Sequence, residues 1–217
     1  MRRDITTSII GILALTLLLG ILYPLTITGI SQVAFPGNAN GQQLYQQGKL
    51  VGSKIIGQAF ADPAIKNGKT VLDKNGNPVT TPDPRYFQTR PSATVPADNA
   101  AGSAFSNLGP NSIATKLALA ANLTAYLQLE KPYDPGLTAA KVPVDAVDTS
   151  GSGVDPDISP ANAAIQAHRV AAVRKLALSE VQHLISTYTH GRGLGFSGEP
   201  GVNVLELNVA LNRLGGR

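Results

Sequence analysis

The chain has 217 residues, no cysteine and a formal net charge of +4. That length allows one ordinary domain plus an anchor, large enough to bury a core without disulfides, and the missing thiols remove zinc–thiolate sites, iron–sulfur clusters and cysteine nucleophiles. The basic residues are scattered with few aromatics among them, which argues against a nucleic-acid partner.

From Ile5 to Gly48 the chain carries no charged side chain, and Ile9–Ile30 is dominated by Ile, Leu, Gly and Thr. Twenty-two residues at about 1.5 Å each span roughly 33 Å, close to the hydrocarbon thickness of a bilayer. This predicts a single transmembrane helix at 9–30, preceded by a short cytoplasmic segment at 1–8. Arg2 and Arg3 precede the apolar run and the next basic residue after it is Lys49. The asymmetry puts the N-terminus in the cytoplasm and residues 32–217 outside. A cleaved signal peptide would have a shorter apolar core and a small-x-small site, whereas Ser31–Pro36 follows a long one. Pro24 should kink or loosen the last turns. Gly11 and Gly20 are candidates for close approach to another helix, the remaining apolar surface facing membrane lipid.

The outer segment reads as a single α+β (or α/β) domain. Leu50–Gly57 predicts a short strand passing into a turn. Asn75-Gly76, between Thr70–Leu72 and Pro78–Thr80, predicts a hairpin within a projecting 61–84 excursion. Asn111 is placed to cap a helix reaching about Leu129, with Ile113, Leu117, Ala120 and Leu127 on its apolar side. Val142–Val147 reads as extended and Asp148–Pro156 as a tight polar loop. Ser159 followed by Pro160 predicts a helix start, the helix reaching about Thr189 and burying Ile165, Val170, Val173, Leu176, Val181 and Leu184. A last helix starts at Asn203, with Glu206 completing a capping box, and runs to about Leu214.

No catalytic set is recognisable. His168, His183 and His190 lack the i, i+4 spacing of a helical metal site, and the acids at Asp145, Asp148, Asp155 and Asp157 lack the alternation of a calcium loop. The Gly191–Gly198 run follows a helix rather than a strand, so it is no dinucleotide fingerprint, and it contains no Gly-x-Ser-x-Gly elbow.

Six ordered motifs run along the outer segment. They are Ser53-x-x-Ile56-Gly57-Gln58-x-Phe60; Tyr86-Phe87-x-x-Arg90-Pro91-Ser92-Ala93; Ser106–Pro110; Val142-Pro143-x-Asp145-Ala146-Val147; Ser150–Gly153 with Asp155-Pro156 and Ile158–Pro160; and Gly198–Pro200 with Val202–Asn208. With the anchor they resemble the C subunit of the bacterial Kdp-type potassium-transporting P-type ATPase. The resemblance implies a non-catalytic, single-span inner-membrane subunit of a high-affinity, ATP-driven potassium importer. Its implied partners are a channel-like subunit, the P-type ATPase subunit and a very small single-span subunit. It further implies a catalytic chaperone that raises ATP affinity, with ATP as a family-attributed ligand for which no motif here accounts. No metal site is implied. The matched positions make Gln58, Arg90, Asn107 and Glu199 candidate partner contacts. Arg90 is suited to a carboxylate or a carbonyl cluster, either across an interface or within the domain, and the within-domain reading is favoured. Ala61–Pro84 departs from the family pattern as an insertion, and Ala100-Ala101 and Ala104-Phe105 loosen the glycine–serine run before Asn107. The alternative is a membrane-tethered binding or pilin-like module.

Overall fold

The computed structural model describes residues 2–73 and 76–215. It comprises two compact units, 1–43 and 44–217.

The first unit is one nearly continuous apolar helix. α1 (Arg2–Leu17) passes through a π-helical turn at Leu18–Leu22 into α2 (Tyr23–Ala34), followed by the single turn α3 (Pro36–Ala39). Arg2–Ala34 is long and apolar enough to cross a membrane. The π turn ends where Pro24 enters the first turn of α2. Proline lacks an N–H and its ring collides with the carbonyl four residues back, and a wide turn accommodates both defects without breaking the helix. The run extends past Ile30 because Ser31–Val33 still sustain helix. It stops at Phe35, whose φ of −138° is the extended-side geometry forced on a residue before proline.

In the second unit, β1 (Gln43–Gln46) and β2 (Lys49–Ser53) form a two-stranded sheet. The 61–84 segment is built from β3 (Ala61–Pro63), β4 (Ile65–Lys66), β5 (Lys69–Thr70) and β6 (Thr80–Pro82). β3 pairs antiparallel with β6 and β4 with β5. The β4–β5 turn is Asn67-Gly68, both at positive φ, a two-residue turn that the Asn75 reading overlooked. Asn75 itself lies outside the described residues, although Leu72 and Pro78 do bridge around that point. The segment's end is no excursion: Asp83 is buried against the Arg85 side chain.

α4 (Ile113–Glu130) corrects two expectations. Its N-terminal flanking residue is Ser112, not Asn111, and no side chain caps it. The carbonyl of Gly109 accepts from Ser112 N and Thr115 Oγ1, so a turn delays the helix past Asn111. Ile113 and Leu117 are exposed, and Ala120 with them. The helix docks instead through polar groups of its second half, Asn122, Tyr126 and Glu130. Val142–Val147 is not extended either. Pro143 precedes a single 3-10 turn at Val144–Ala146, which buries Ala146 and delivers Asp145 to the next helix.

That helix, α5 (Pro160–Arg174), starts as expected. Ser159 Oγ accepts from Asn162 N at 3.1 Å, and Asp145 receives both Ser159 N and Ser159 Oγ at 2.8 Å. It does not continue to Thr189. Lys175 adopts a left-handed φ of 57°, Leu176 N returns to Ala171 O, and α6 (Leu178–Thr187) begins anew with Glu180 accepting Ala177 N. The break turns Val181 and Ile185 into the same core as Val170. In a straight helix of this length those faces would diverge. Ile165, Val173, Leu176 and Leu184 are half-buried.

β7 (Asp157–Ile158), β8 (Thr189–His190) and β9 (Gly201–Asn203) make an antiparallel sheet in the order β7-β9-β8. β9 leads directly into α7 (Val204–Leu214), capped by Asn203 Oδ1 accepting Glu206 N at 3.1 Å. The core joins α5, α6 and α7 around Phe87, Ile158, Val202, Leu207 and Leu211. One apolar helix, followed in the chain by an α+β unit, is thus the observed architecture.

Candidate functional site

The motif residues converge on the polar loop before β7. Gly57 N donates to Val154 O at 2.7 Å, and a Cβ at Gly57 would lie 2.6 Å from Asp155 O. Only glycine permits that backbone approach. Gly153 has φ +72°, and a Cβ there would meet Ala104 O at 2.4 Å. Ser92 Oγ donates to Gly153 O at 2.6 Å and accepts from Thr94 N and Asp98 N. Arg90 spans the loop, with Nη1 donating to Asp155 Oδ2 at 3.3 Å and Nη2 to Thr149 O at 3.4 Å, while its buried Nε has no partner. Arg90 therefore acts within the domain in this structure.

Beside this loop, α4 and the 80–98 segment enclose a cleft of about 550 Å³ lined by Pro82, Thr89, Arg90, Asp98, Tyr126 and Leu129. Asp98 Oδ2 accepts from Thr89 Oγ1 at 2.7 Å. Burial pushes the Asp98 carboxyl up to about 6, opposed by the Thr89 hydrogen bond and assisted by the charge of Asp155. An acid whose folded pKa lies above its unfolded value contributes stability that is present below the unfolded pKa and lost as pH rises through the folded one. Asp98→Asn should therefore flatten the decline in melting temperature between about pH 4 and pH 6. An unchanged slope in the variant would mean that another group titrates.

A second polar cluster lies beneath the cleft. Glu130 and Arg169 are fully buried, and Arg169 Nε donates to both carboxylate oxygens at 3.0 and 3.1 Å. Arg169 Nη1 donates to Pro84 O and Tyr86 O, and Nη2 to Gln166 Oε1. Burial pushes Glu130 up, and the Arg169 charge and hydrogen bonds pull it back. Tyr126 donates to Asn162 Oδ1, and burial pushes its phenol up. Asn208 clasps Phe87, accepting its N–H at 2.9 Å and donating to its carbonyl at 3.0 Å. Asn208 stood inside a recognised motif. Arg169, Glu130, Gln166 and Asn162 did not; a charge on an alanine- or leucine-rich helix was the only signal for Arg169 and Glu130, and the amides of Gln166 and Asn162 gave none.

The remaining candidates are dispersed. Gln58 is exposed, with Oε1 lying where a Cβ on Gly52 would come within 2.9 Å. Asn107 is exposed at φ 55°, a turn residue. Glu199 pairs with Arg192 at 2.7 Å on an exposed loop. Glu206 does not close a capping box; its carboxylate lies 2.5 Å from Lys54 Nζ, while Asn203 Nδ2 reaches Lys54 O at 2.8 Å. Gly11 has no heavy atom of this chain near its missing Cβ, and Gly20 only Thr16 at 3.8 Å.

Among the described residues, no group of three or more His, Asp and Glu is placed to share a metal. His190 Nε2 lies 3.6 Å from Asp157. In the cleft Arg90 is engaged by Asp155 and Thr149, and Asp98 adds a carboxylate to the wall. The arrangement ties the 149–155 loop to the segments carrying Gly57, Arg90 and Ser92.

The KdpC family model, K+-transporting ATPase, c chain, matches residues 5–213. The chain belongs to this family. A potassium-transporting ATPase KdpC subunit of Methylococcus capsulatus is 46% identical over 208 residues, covering 95% of this chain and 96% of its own. The KdpC subunit of Methylobacterium nodulans is 44% identical, covering 97% and 96%. That of Mycobacterium bovis is 41% identical, covering 99% and 100%.

Proposed function

We propose that the chain is the accessory, non-catalytic subunit of an ATP-driven potassium importer, tethered in the inner membrane by Arg2–Ala34 with residues 44–217 outside the cytoplasm. It stabilises the assembly or shapes the outer approach to the ion pathway. Its partners are the channel-like subunit, the P-type ATPase subunit and the small single-span subunit. The carrying observation is that family-matched residues interlock with each other, as Arg90 does with Asp155 and Asn208 with Phe87, rather than surrounding a reactive group. Any raising of ATP affinity is then exerted through the ATPase subunit, not by nucleotide held in the cleft.

The orientation rests on Arg2 and Arg3 before an uncharged span. A reporter enzyme active only outside the cytoplasm is expected to work when fused after Arg217. Activity of a cytoplasm-only reporter at that position would overturn the orientation.

A further inference from the structure

Away from the cleft, three arginines face one cavity. It has a volume of about 500 Å³ and is lined by Arg85, Arg174 and Arg213 with Tyr86, Gln47 and Asn212. Arg174 is only 6% exposed. Its Nε donates to Arg85 O at 2.7 Å, Nη1 to Leu211 O at 3.4 Å and Nη2 to Asn212 Oδ1 at 3.0 Å, and its guanidinium lies 4.6 Å from the centre of the Tyr86 ring. None of these partners is a carboxylate. The nearby Asp83 is engaged by Arg85, which grips it through Nε and Nη2 at 2.6–3.1 Å. Arg213, in the last turn of α7, is exposed and makes no ion pair among the described residues.

A buried guanidinium with no carboxylate hydrogen-bonded to it is costly, and this one is only partly compensated by the more distant charge of Asp83. It sits at the C-terminal turn of α5 and against the carbonyl of Leu211 near the end of α7, where helix dipoles supply about half a negative charge each. An aromatic face adds a weak attraction. Among the described residues, three guanidiniums against one carboxylate leave the lining of the cavity net positive. Fixed forks of N–H donors match tetrahedral oxyanions better than ammonium groups do, and the amide of Gln47 adds a donor.

We propose that this cavity is a binding site for a phosphate-type oxyanion, carried either by a free phosphate compound or by a lipid headgroup. The anion completes the charge balance of Arg174 and ties α5, α7 and the Arg85–Tyr86 segment together. Arg213, exposed on the last turn of α7 and already lining the cavity, supplies a further fork of N–H donors to it.

The test uses the full chain in detergent, with inorganic pyrophosphate as the free probe against chloride of matched ionic strength. In parallel, nanodiscs of phosphatidylglycerol are compared with nanodiscs of phosphatidylcholine, and thermal unfolding is the readout. Stabilisation by pyrophosphate assigns the site to free phosphate compounds, and stabilisation only in phosphatidylglycerol assigns it to a headgroup. In either case Arg213→Gln should weaken the apparent affinity about tenfold while leaving the ligand-free melting temperature in place. Arg174→Lys, which keeps the charge and loses the fork, should weaken it as well. Lys131→Gln, the same change of charge outside the cavity, should bind as the parent does. The proposal is overturned if neither probe stabilises the chain, if Arg213→Gln responds like the parent, or if Lys131→Gln loses as much as Arg213→Gln.

Discussion

Arg169→Leu is expected to lower the unfolding free energy of the 44–217 unit by about 3–5 kcal/mol, the usual cost of breaking a buried ion pair from one side. Arg169 is 0% exposed and Glu130 1%. Removing the guanidinium strands a carboxylate in the core together with the carbonyls of Pro84 and Tyr86. For a unit of this size that corresponds to a fall in melting temperature of roughly 10 °C or more. The double variant Glu130→Leu/Arg169→Leu should recover much of the loss, since paired apolar replacement removes both charges and often costs little. Circular dichroism melts of the four chains close the thermodynamic cycle. If the double variant falls by the sum of the two singles, the pair is not coupled and the network does not work as described. The pair links α4 to α5, so its loss should also loosen the cleft wall that carries Tyr126 and Leu129.

Asn208→Leu should be nearly as severe, by about 2–5 kcal/mol. Asn208 is 0% exposed and holds both backbone groups of Phe87, itself the aromatic centre of the core. Leucine fills a similar volume but satisfies neither group, and each buried unsatisfied donor or acceptor costs about 1–3 kcal/mol. Asn208→Asp tests the assignment more finely. Its carboxylate can still accept from Phe87 N but cannot donate to Phe87 O, so about half the loss should remain, more at high pH than at low. Equal stability of the leucine variant and the parent would show that the clasp contributes nothing net. Denaturant unfolding of the full chain, with unchanged slope against denaturant, is the appropriate measurement.

The sequence alone determined features set by local chemistry. An uncharged apolar run must be helical if it is to lie in lipid, and Arg2–Ala34 is one helix. Ser159-Pro160 and Asn203 start helices because their side chains satisfy nearby N–H groups, and both do so. The six motifs identified the family because the residues that interlock, Gly57, Arg90, Ser92, Gly153 and Asn208, stand in a fixed order. Tertiary structure decided what local chemistry leaves degenerate. Nothing near Lys175 signals a helix end, since a lysine in the left-handed region costs energy that only the packing of Val181 and Ile185 onto the core recovers. The apolar pattern of α4 suggested a buried stripe at Ile113 and Leu117, but Glu130 and Tyr126 decide which end docks. Whether an arginine on a helix faces water, a carboxylate or an open cavity depends on partners far away in sequence. Arg169 meets Glu130, 39 residues earlier, and Arg174 meets Arg85 O, 89 residues earlier. A single helix carries both, one bonded to a carboxylate and one to carbonyls and an amide oxygen, and only the folded chain tells them apart.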